Sequence, residues 1–481
     1  MTHALQPGRL PRATPSSQGV DARGIEAFLD ALERDPDIEP HSMMLLRHGQ
    51  VIAAGWWAPF TPERPHLLYS LSKTFTATAL GFAVDEGLLD LDELVVDAFP
   101  EFAEEIVTPR ARSIRVRHLA AMSSGHTQEM LDVALETDPA EPVRGFLLHE
   151  PEQEPGTIFA YSQPCTYTVA AILQRRAGTD LVGYLRPRLF DPLGIPSVGW
   201  ESHPDGRSIG FSGLYATTEA IAKLGQLYLD GGRWNGEQLL PAGWVEQVST
   251  RWIDTPREGS PDWACGYGFQ VWHARHGYRG DGAFGQFCVI LPEQDVVLAT
   301  TASTEAMQSV LDAVWTHLLP AMAEDPGDAG PDADARLAER LTGLRLPTAD
   351  GPAAPPDGAD PAGGYAVLHS PEGPVVEAVD LAADGDGWRV RLVEDGLVAA
   401  EARLDGSGWN VGEADGRPPI AVTGGWRNGR LHLSVLMMET PHRLEFELDP
   451  GTREAVARWT PPPLSGPDTR IRELQAPRPL R

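Results

Sequence analysis

Lysine is almost missing from this chain: of its 39 cationic residues only Lys73 and Lys223 are not arginine. A surface cation can be either residue, but a group that must release its proton near neutral pH cannot be arginine. Positive charge as a whole is short, 39 Lys+Arg against 68 Asp+Glu, for a formal charge of -29. Such a surface repels phosphate backbones and anionic lipid heads, which argues against nucleic-acid and membrane partners and leaves a small molecule as the expected one. No apolar run approaches the ~20 residues of a membrane helix. The opening MTHALQPGRLPRATPSSQGV lacks the apolar core of a secretory leader. Cysteine is scarce too: Cys165, Cys265 and Cys288, an odd number with no CxxC pair, fit a reducing compartment and packed thiols rather than a disulfide framework. A cytoplasmic location is the expectation. The 14 histidines show no metal-ligand spacing, since His149-Glu150 runs into Pro151 instead of completing HExxH. Neither metal nor cofactor is expected.

What is present reads as two folded units. After an N-terminal arm (1–19), residues 20–322 alternate helical and strand patterns. GIEAFLDALER is helical, HSMMLLRHGQVIAAGWW reads as two strands about a His48-Gly49 turn, and a strand-rich block beginning at YGFQVW feeds the amphipathic stretch Met307 to Met322. Strands at both ends with helices between them predict an α/β unit whose sheet is closed by non-local pairing. Residues 323–362, rich in Pro, Gly, Asp and Ala, have linker composition with one short helix over Asp334 to Leu344. A chain ended near residue 330 is therefore expected to fold. Residues 363–461 alternate in short strands separated by Gly, Asp and Asn turns, a small antiparallel β-barrel or sandwich, before a tail (462–481).

The chemistry is concentrated at Ser70-Leu71-Ser72-Lys73, at the mouth of a helix. Three-residue spacing puts the Ser70 hydroxyl and the Lys73 amine on one face. A serine hydroxyl is a weak nucleophile until a neighbour accepts its proton, and a desolvated lysine can do so. The helix N-terminus adds free N–H groups for a developing oxyanion. Ser and Lys at this spacing also occur by chance on solvated helices, so the scarcity of lysine elsewhere carries weight. Competing motifs fail on context. Gly280 to Gly285 matches GxGxxG but leads into the strand pattern QFCVILP rather than a helix. Gly210-Phe211-Ser212-Gly213 lacks the last glycine of a nucleophile elbow, and Trp56-Trp57 reads as core or groove wall.

Downstream, EPGTIFAYSQPCTYTVAAIL sets Tyr161-Ser162-Gln163 after a Pro-Gly turn and before a second helical run. The order Ser-x-x-Lys, Tyr-Ser-x, then a Gly-rich turn between strands is similar to the penicillin-binding protein and class C β-lactamase superfamily. VRHLAAMSSGH, YLRPRLFDPLGI and GFSGLYATTEAIAKLGQLYLDGG resemble its supporting segments, over about residues 20 to 305. The resemblance implies a β-lactamase-like α/β sandwich with a helical subdomain. It also implies Ser70 as acylated nucleophile, Lys73 as proton acceptor, Tyr161 sharing the proton transfer, and an oxyanion hole from the N–H groups of Ser70 and Ala283. Alone, Tyr161 reads equally as a packed aromatic.

Two positions depart from the superfamily pattern. Gln163 stands where Asn is usual. The third motif, usually Lys-Thr-Gly or His-x-Gly, aligns with Gly280-Asp281-Gly282, which has no cation, although Arg279 is adjacent. Gln163, Gly280, Asp281 and Gly282 are the expected substrate-binding positions. The expected activity is hydrolysis of a small ester or amide, as in related esterases and D-aminopeptidases, with β-lactams disfavoured. The alternative is a relative that keeps Ser70 and Lys73 but binds or regulates without turnover. The sequence carries no mark of oligomeric state.

Overall fold

The two strands flanking the His48-Gly49 turn form as Glu39–Arg47 and Gln50–Trp56 in the computed structural model. It describes residues 10–204, 206–256, 260–322, 330–356, 360–478 and 480. Parts of the N-terminal arm (1–9), the linker (323–329 and 357–359) and the tail (479 and 481) lie outside the described residues. His48 and Gly49 take φ of 51° and 70°, the left-handed pair a two-residue hairpin turn requires. The first strand also pairs antiparallel with Val296–Ser303, Glu39 opposite Ser303 and Arg47 opposite Val296. The sheet is thus closed between the two ends of the unit. Six strands result, in the order Gln50–Trp56, Glu39–Arg47, Val296–Ser303, Gln286–Leu291, Tyr278–Gly282, Trp272–His273.

Strand alternation divides these residues between two cores. Met43, Leu45, Phe287, Val289 and Leu298 face the layer of helices Ala22–Arg34, Met307–Ala313 and Pro331–Thr342. Met44, Leu46, Cys288, Ile290 and Val297 face helices Ser72–Asp85 and Thr218–Leu229. Every residue of Ser72 to Ala83 is buried. Its polar members are satisfied internally: Thr76 Oγ1 donates to Gly210 O at 2.8 Å, and Thr78 Oγ1 lies 2.9 Å from Tyr228 Oη. Helix Gln163–Ala177 and shorter helices between residues 109 and 185 form a subdomain over it. The architecture is the expected α/β sandwich with a helical subdomain.

Residues Gly363–Val367 to Glu454–Thr460 build a nine-stranded sheet, antiparallel except where these first and last strands pair in parallel. Its two edges approach each other: a Cβ on Gly412 would lie 2.1 Å from Glu401 O. The sheet is therefore nearly closed into a barrel around Val390, Leu392, Val422, Leu433 and Phe446. The Asn428-Gly429 turn, φ 50° and 78°, fixes one of its hairpins.

The described part of the intervening segment from Pro331 to Leu346 is packed. Helix Pro331–Thr342 buries Ala333 and Leu337, and Leu344 and Leu346 enter the same core as Ile38, Trp57 and Phe60. Ala421, Leu436 and Met438 of the barrel complete that core. Residues on both sides of position 330 thus share one core. The barrel turn after Arg430–Met437 docks on the first unit, with Leu67 N donating to Glu439 O at 2.8 Å and Arg443 Nη1 pairing with Glu39 at 2.6 Å. Among the described residues no helix is long and apolar enough to cross a membrane. No group of three or more His, Cys, Asp or Glu among them is placed to hold a metal ion.

Candidate functional site

Ser70 sits in a single 3₁₀ turn, Tyr69–Leu71, that runs directly into helix Ser72–Asp85. Tyr69 has φ +47°, a left-handed conformation that costs a bulky residue on the order of 1–3 kcal/mol and persists only where packing enforces it. Strand Tyr278–Gly282 presses against this turn. A Cβ at Gly282 would lie 2.0 Å from Leu68 O, and one at Gly280 would lie 2.3 Å from Thr74 Oγ1. Only glycine fits at either position, so close approach of the strand is the physical content of this motif. It brings Ala283 onto the cluster of Leu67, Tyr69 and Phe284 beside Ser70.

Lys73 is 1% exposed, and its Nζ lies 2.9 Å from Ser70 Oγ, 2.6 Å from Gln163 Oε1 and 2.9 Å from Phe211 O. The two carbonyl oxygens can only accept. A neutral amine therefore spends both its N–H groups on them and turns its lone pair to the Ser70 hydroxyl. Burial lowers the amine's pKa to about 7, against the opposing charges of Glu129 and Asp281. Gln163, expected at a substrate carbonyl, has its Oε1 on Lys73 and lines the cleft, which leaves its Nε2 as the group that can donate to such a carbonyl.

Tyr161 stacks on Trp272 at 5.3 Å between centroids, and the Lys73 ammonium position lies 4.7 Å from the Tyr161 ring centroid. Burial raises the pKa of its hydroxyl, against the opposing influence of the neighbouring Ser70 side chain, so that it stays protonated. Asp281 is 6% exposed and accepts a 2.9 Å bond from Arg279 Nε. Arg279 is fully buried, its Nη1 donating to Asp262 O and His273 O. The one cation near the third motif is thus turned into the protein. Asp281 reaches the site only through its field on Lys73 and Tyr161.

A cleft of about 1380 Å³ opens over Ser70 and Gln163, walled partly by the barrel and the C-terminal tail. Its lining carries six carboxylates, Glu129, Asp132, Glu201, Glu413, Asp415 and Glu473. Its four arginines already face carboxylates: Arg64 faces Glu413, Arg417 faces Glu401, Arg472 faces Asp395 and Arg478 faces Glu439. The cleft is anionic. Two residues here escape sequence reasoning. Glu129 accepts from the N–H groups of Met130, Leu131 and Gln163, at the start of helix Gln163–Ala177. His442 of the barrel bonds the Tyr69 hydroxyl. Neither belongs to a periodic pattern or lies near Ser70 in sequence.

Comparison with known proteins bears on the family and the fold. The sequence profile of the Beta-lactamase family matches residues 26–322. The chain is 28% identical over 246 residues to a 6-aminohexanoate-dimer hydrolase of Paenarthrobacter ureafaciens, spanning 46% of this chain and 62% of that protein. It is 24% identical over 295 residues to penicillin-binding protein 4 of Amycolatopsis lactamdurans, spanning 53% of this chain and 76% of that one. Among solved structures, an octameric penicillin-binding protein homologue from Pyrococcus abyssi superposes on 88% of this chain and 98% of its own, with TM-score 0.50 and 17% identity. That match extends over the barrel as well as the sandwich, while the family profile alone spans more than half of the residues, so the chain belongs to the Beta-lactamase family.

Proposed function

We propose that the protein is a serine hydrolase that cleaves a small ester or amide through an acyl-enzyme on Ser70. The observation that carries the reading is the buried Lys73 amine, 2.9 Å from Ser70 Oγ and held by two carbonyl acceptors, so that its neutral form turns a lone pair to the Ser70 hydroxyl. As Oγ attacks the substrate carbonyl carbon, its proton passes to Lys73 Nζ and the carbonyl π electrons move to oxygen. That oxyanion is met by the N–H groups of Ser70 and Ala283. Collapse re-forms the C=O bond and expels the alkoxide or amine, which takes the proton from Lys73 through the Tyr161 hydroxyl. Water then repeats the sequence and frees the acid. Tyr161 relays a proton rather than acting as a phenolate, in keeping with its raised pKa.

The carboxylates of the cleft favour neutral substrates or those with an amine near the scissile bond, and they disfavour anionic β-lactams. The names of relatives, a dimer hydrolase and a lovastatin esterase of Penicillium rubens that is 28% identical over 150 residues, support amide or ester cleavage. A fluorophosphonate probe tests the reading: it labels the intact chain at Ser70 and leaves Ser70→Ala unlabelled. An unlabelled intact chain refutes it.

A further inference from the structure

The residues that carry the proposed chemistry all lie in the sandwich unit, yet one side chain of the barrel touches both edges of the expected oxyanion hole. His442 is 0% exposed. Its Nε2 is hydrogen-bonded to the hydroxyl of Tyr69, the residue before Ser70. Its ring meets Tyr69 edge-on at 5.8 Å and Phe284, the residue after Ala283, edge-on at 5.3 Å. Tyr69 and Phe284 also meet each other at 5.4 Å. Both are bulky residues in the left-handed region, φ +47° and +67°. Each of the two residues whose N–H groups are expected to meet the oxyanion is thus flanked by a strained residue, and both strained residues close on the same imidazole.

The imidazole is itself fixed. Its Nδ1 lies 3.0 Å from Pro461 O, a pure acceptor, so Nδ1 carries the hydrogen and Nε2 accepts from the Tyr69 O–H. The turn that bears it is tied to the sandwich by the Leu67 N to Glu439 O bond. Burial keeps the ring neutral, with its pKa lowered to about 4, and raises that of the Tyr69 hydroxyl, so this pairing holds across the working pH range.

We infer that His442 is a positioning residue for the oxyanion hole: through Tyr69 and Phe284 it holds the N–H groups of Ser70 and Ala283 in register. The barrel then governs the chemical step in addition to shaping the cleft. The inference rests on the serine hydrolase reading.

The test uses the full chain and two readouts, the second-order rate of fluorophosphonate labelling and steady-state hydrolysis of p-nitrophenyl butyrate. His442→Phe keeps an aromatic ring without the acceptor, Tyr69→Phe removes only the hydroxyl, and His442→Gln returns an acceptor near Nε2. His442→Phe and Tyr69→Phe are each expected to lower kcat and the labelling rate about 10-fold or more, with KM within about twofold. The double variant should be no worse than the poorer single one, and His442→Gln should recover much of the loss. Unchanged kcat in folded variants, a change confined to KM, or losses that multiply in the double variant would each overturn the inference. Should His442→Phe lose its cooperative melt, Tyr69→Phe decides alone, because it leaves the histidine in place. A labelled intact chain with indifferent variants sinks only this inference, whereas an unlabelled intact chain sinks the hydrolase reading beneath it.

Discussion

The pKa of Lys73 sets a measurable limb in the rate profile. An unperturbed lysine, near 10.4, would be neutral in only about 0.04% of molecules at pH 7. With the pKa lowered to about 7 by burial, about half of the molecules hold a neutral amine there. The net shift thus supplies roughly a thousandfold more base at pH 7, equivalent to about 4–5 kcal/mol at ~1.4 kcal/mol per unit after the opposing charges are included. In the proposed mechanism the neutral form is the active one, so kcat/KM should rise with pH, about tenfold per unit below pH 7, and level off above it. Glu129 opposes the shift, so Glu129→Gln should move the limb to lower pH. The assay is ester hydrolysis from pH 5 to 9 with circular dichroism at each pH to confirm folding. A limb near pH 10, or a flat profile, would refute Lys73 as the base.

Lys73→Arg keeps the charge but cannot accept the Ser70 proton, so turnover should fall at least about 100-fold; retention of a tenth would remove Lys73 from the mechanism. Tyr161→Phe should lower kcat on the order of 100-fold with little change in melting temperature, and an unaltered kcat would demote the ring to packing on Trp272. Short uncharged esters should be turned over with kcat/KM at least ~100-fold above that for penicillins and cephalosporins, a gap of about 2.7 kcal/mol, with efficient nitrocefin turnover as the contrary result. A chain ended at residue 330 loses Leu337, Leu344, Leu346, Leu436 and Met438 from a single core, each worth roughly 1.5–3 kcal/mol of burial. It should aggregate, and a monomeric fragment with a cooperative melt would contradict that view of the core.

Legibility in the sequence followed contact range. Ser70 and Lys73 are readable because a helix turn brings i and i+3 together, and the hairpins at His48-Gly49 and Asn428-Gly429 are readable from alternation and turn chemistry. The buried faces of Met43 to Leu46 follow from period two alone. Glu129 and His442 act across 34 and 373 positions, on Gln163 and Tyr69, through single side chains that leave no local signature. Gln163 was visible as an amide near the site, but that its oxygen turns to Lys73 depends on how helix Gln163–Ala177 meets helix Ser72–Asp85. Arg279 and Asp281 show the same limit, since an adjacent cation and anion read alike whether they face a ligand or each other.

The pairing of Glu39–Arg47 with Val296–Ser303 also governs how this chain must be made. A ribosome releases the first hairpin, apolar on both faces, about 250 residues before its partner strand exists, a wait of roughly 12–50 s at 5–20 residues per second. During that interval Met43 to Leu46 have no sheet to join, and every nascent chain in a polysome presents the same unpaired edge. On this ground slower initiation or a holding chaperone should raise yield at high expression more than stabilising substitutions do.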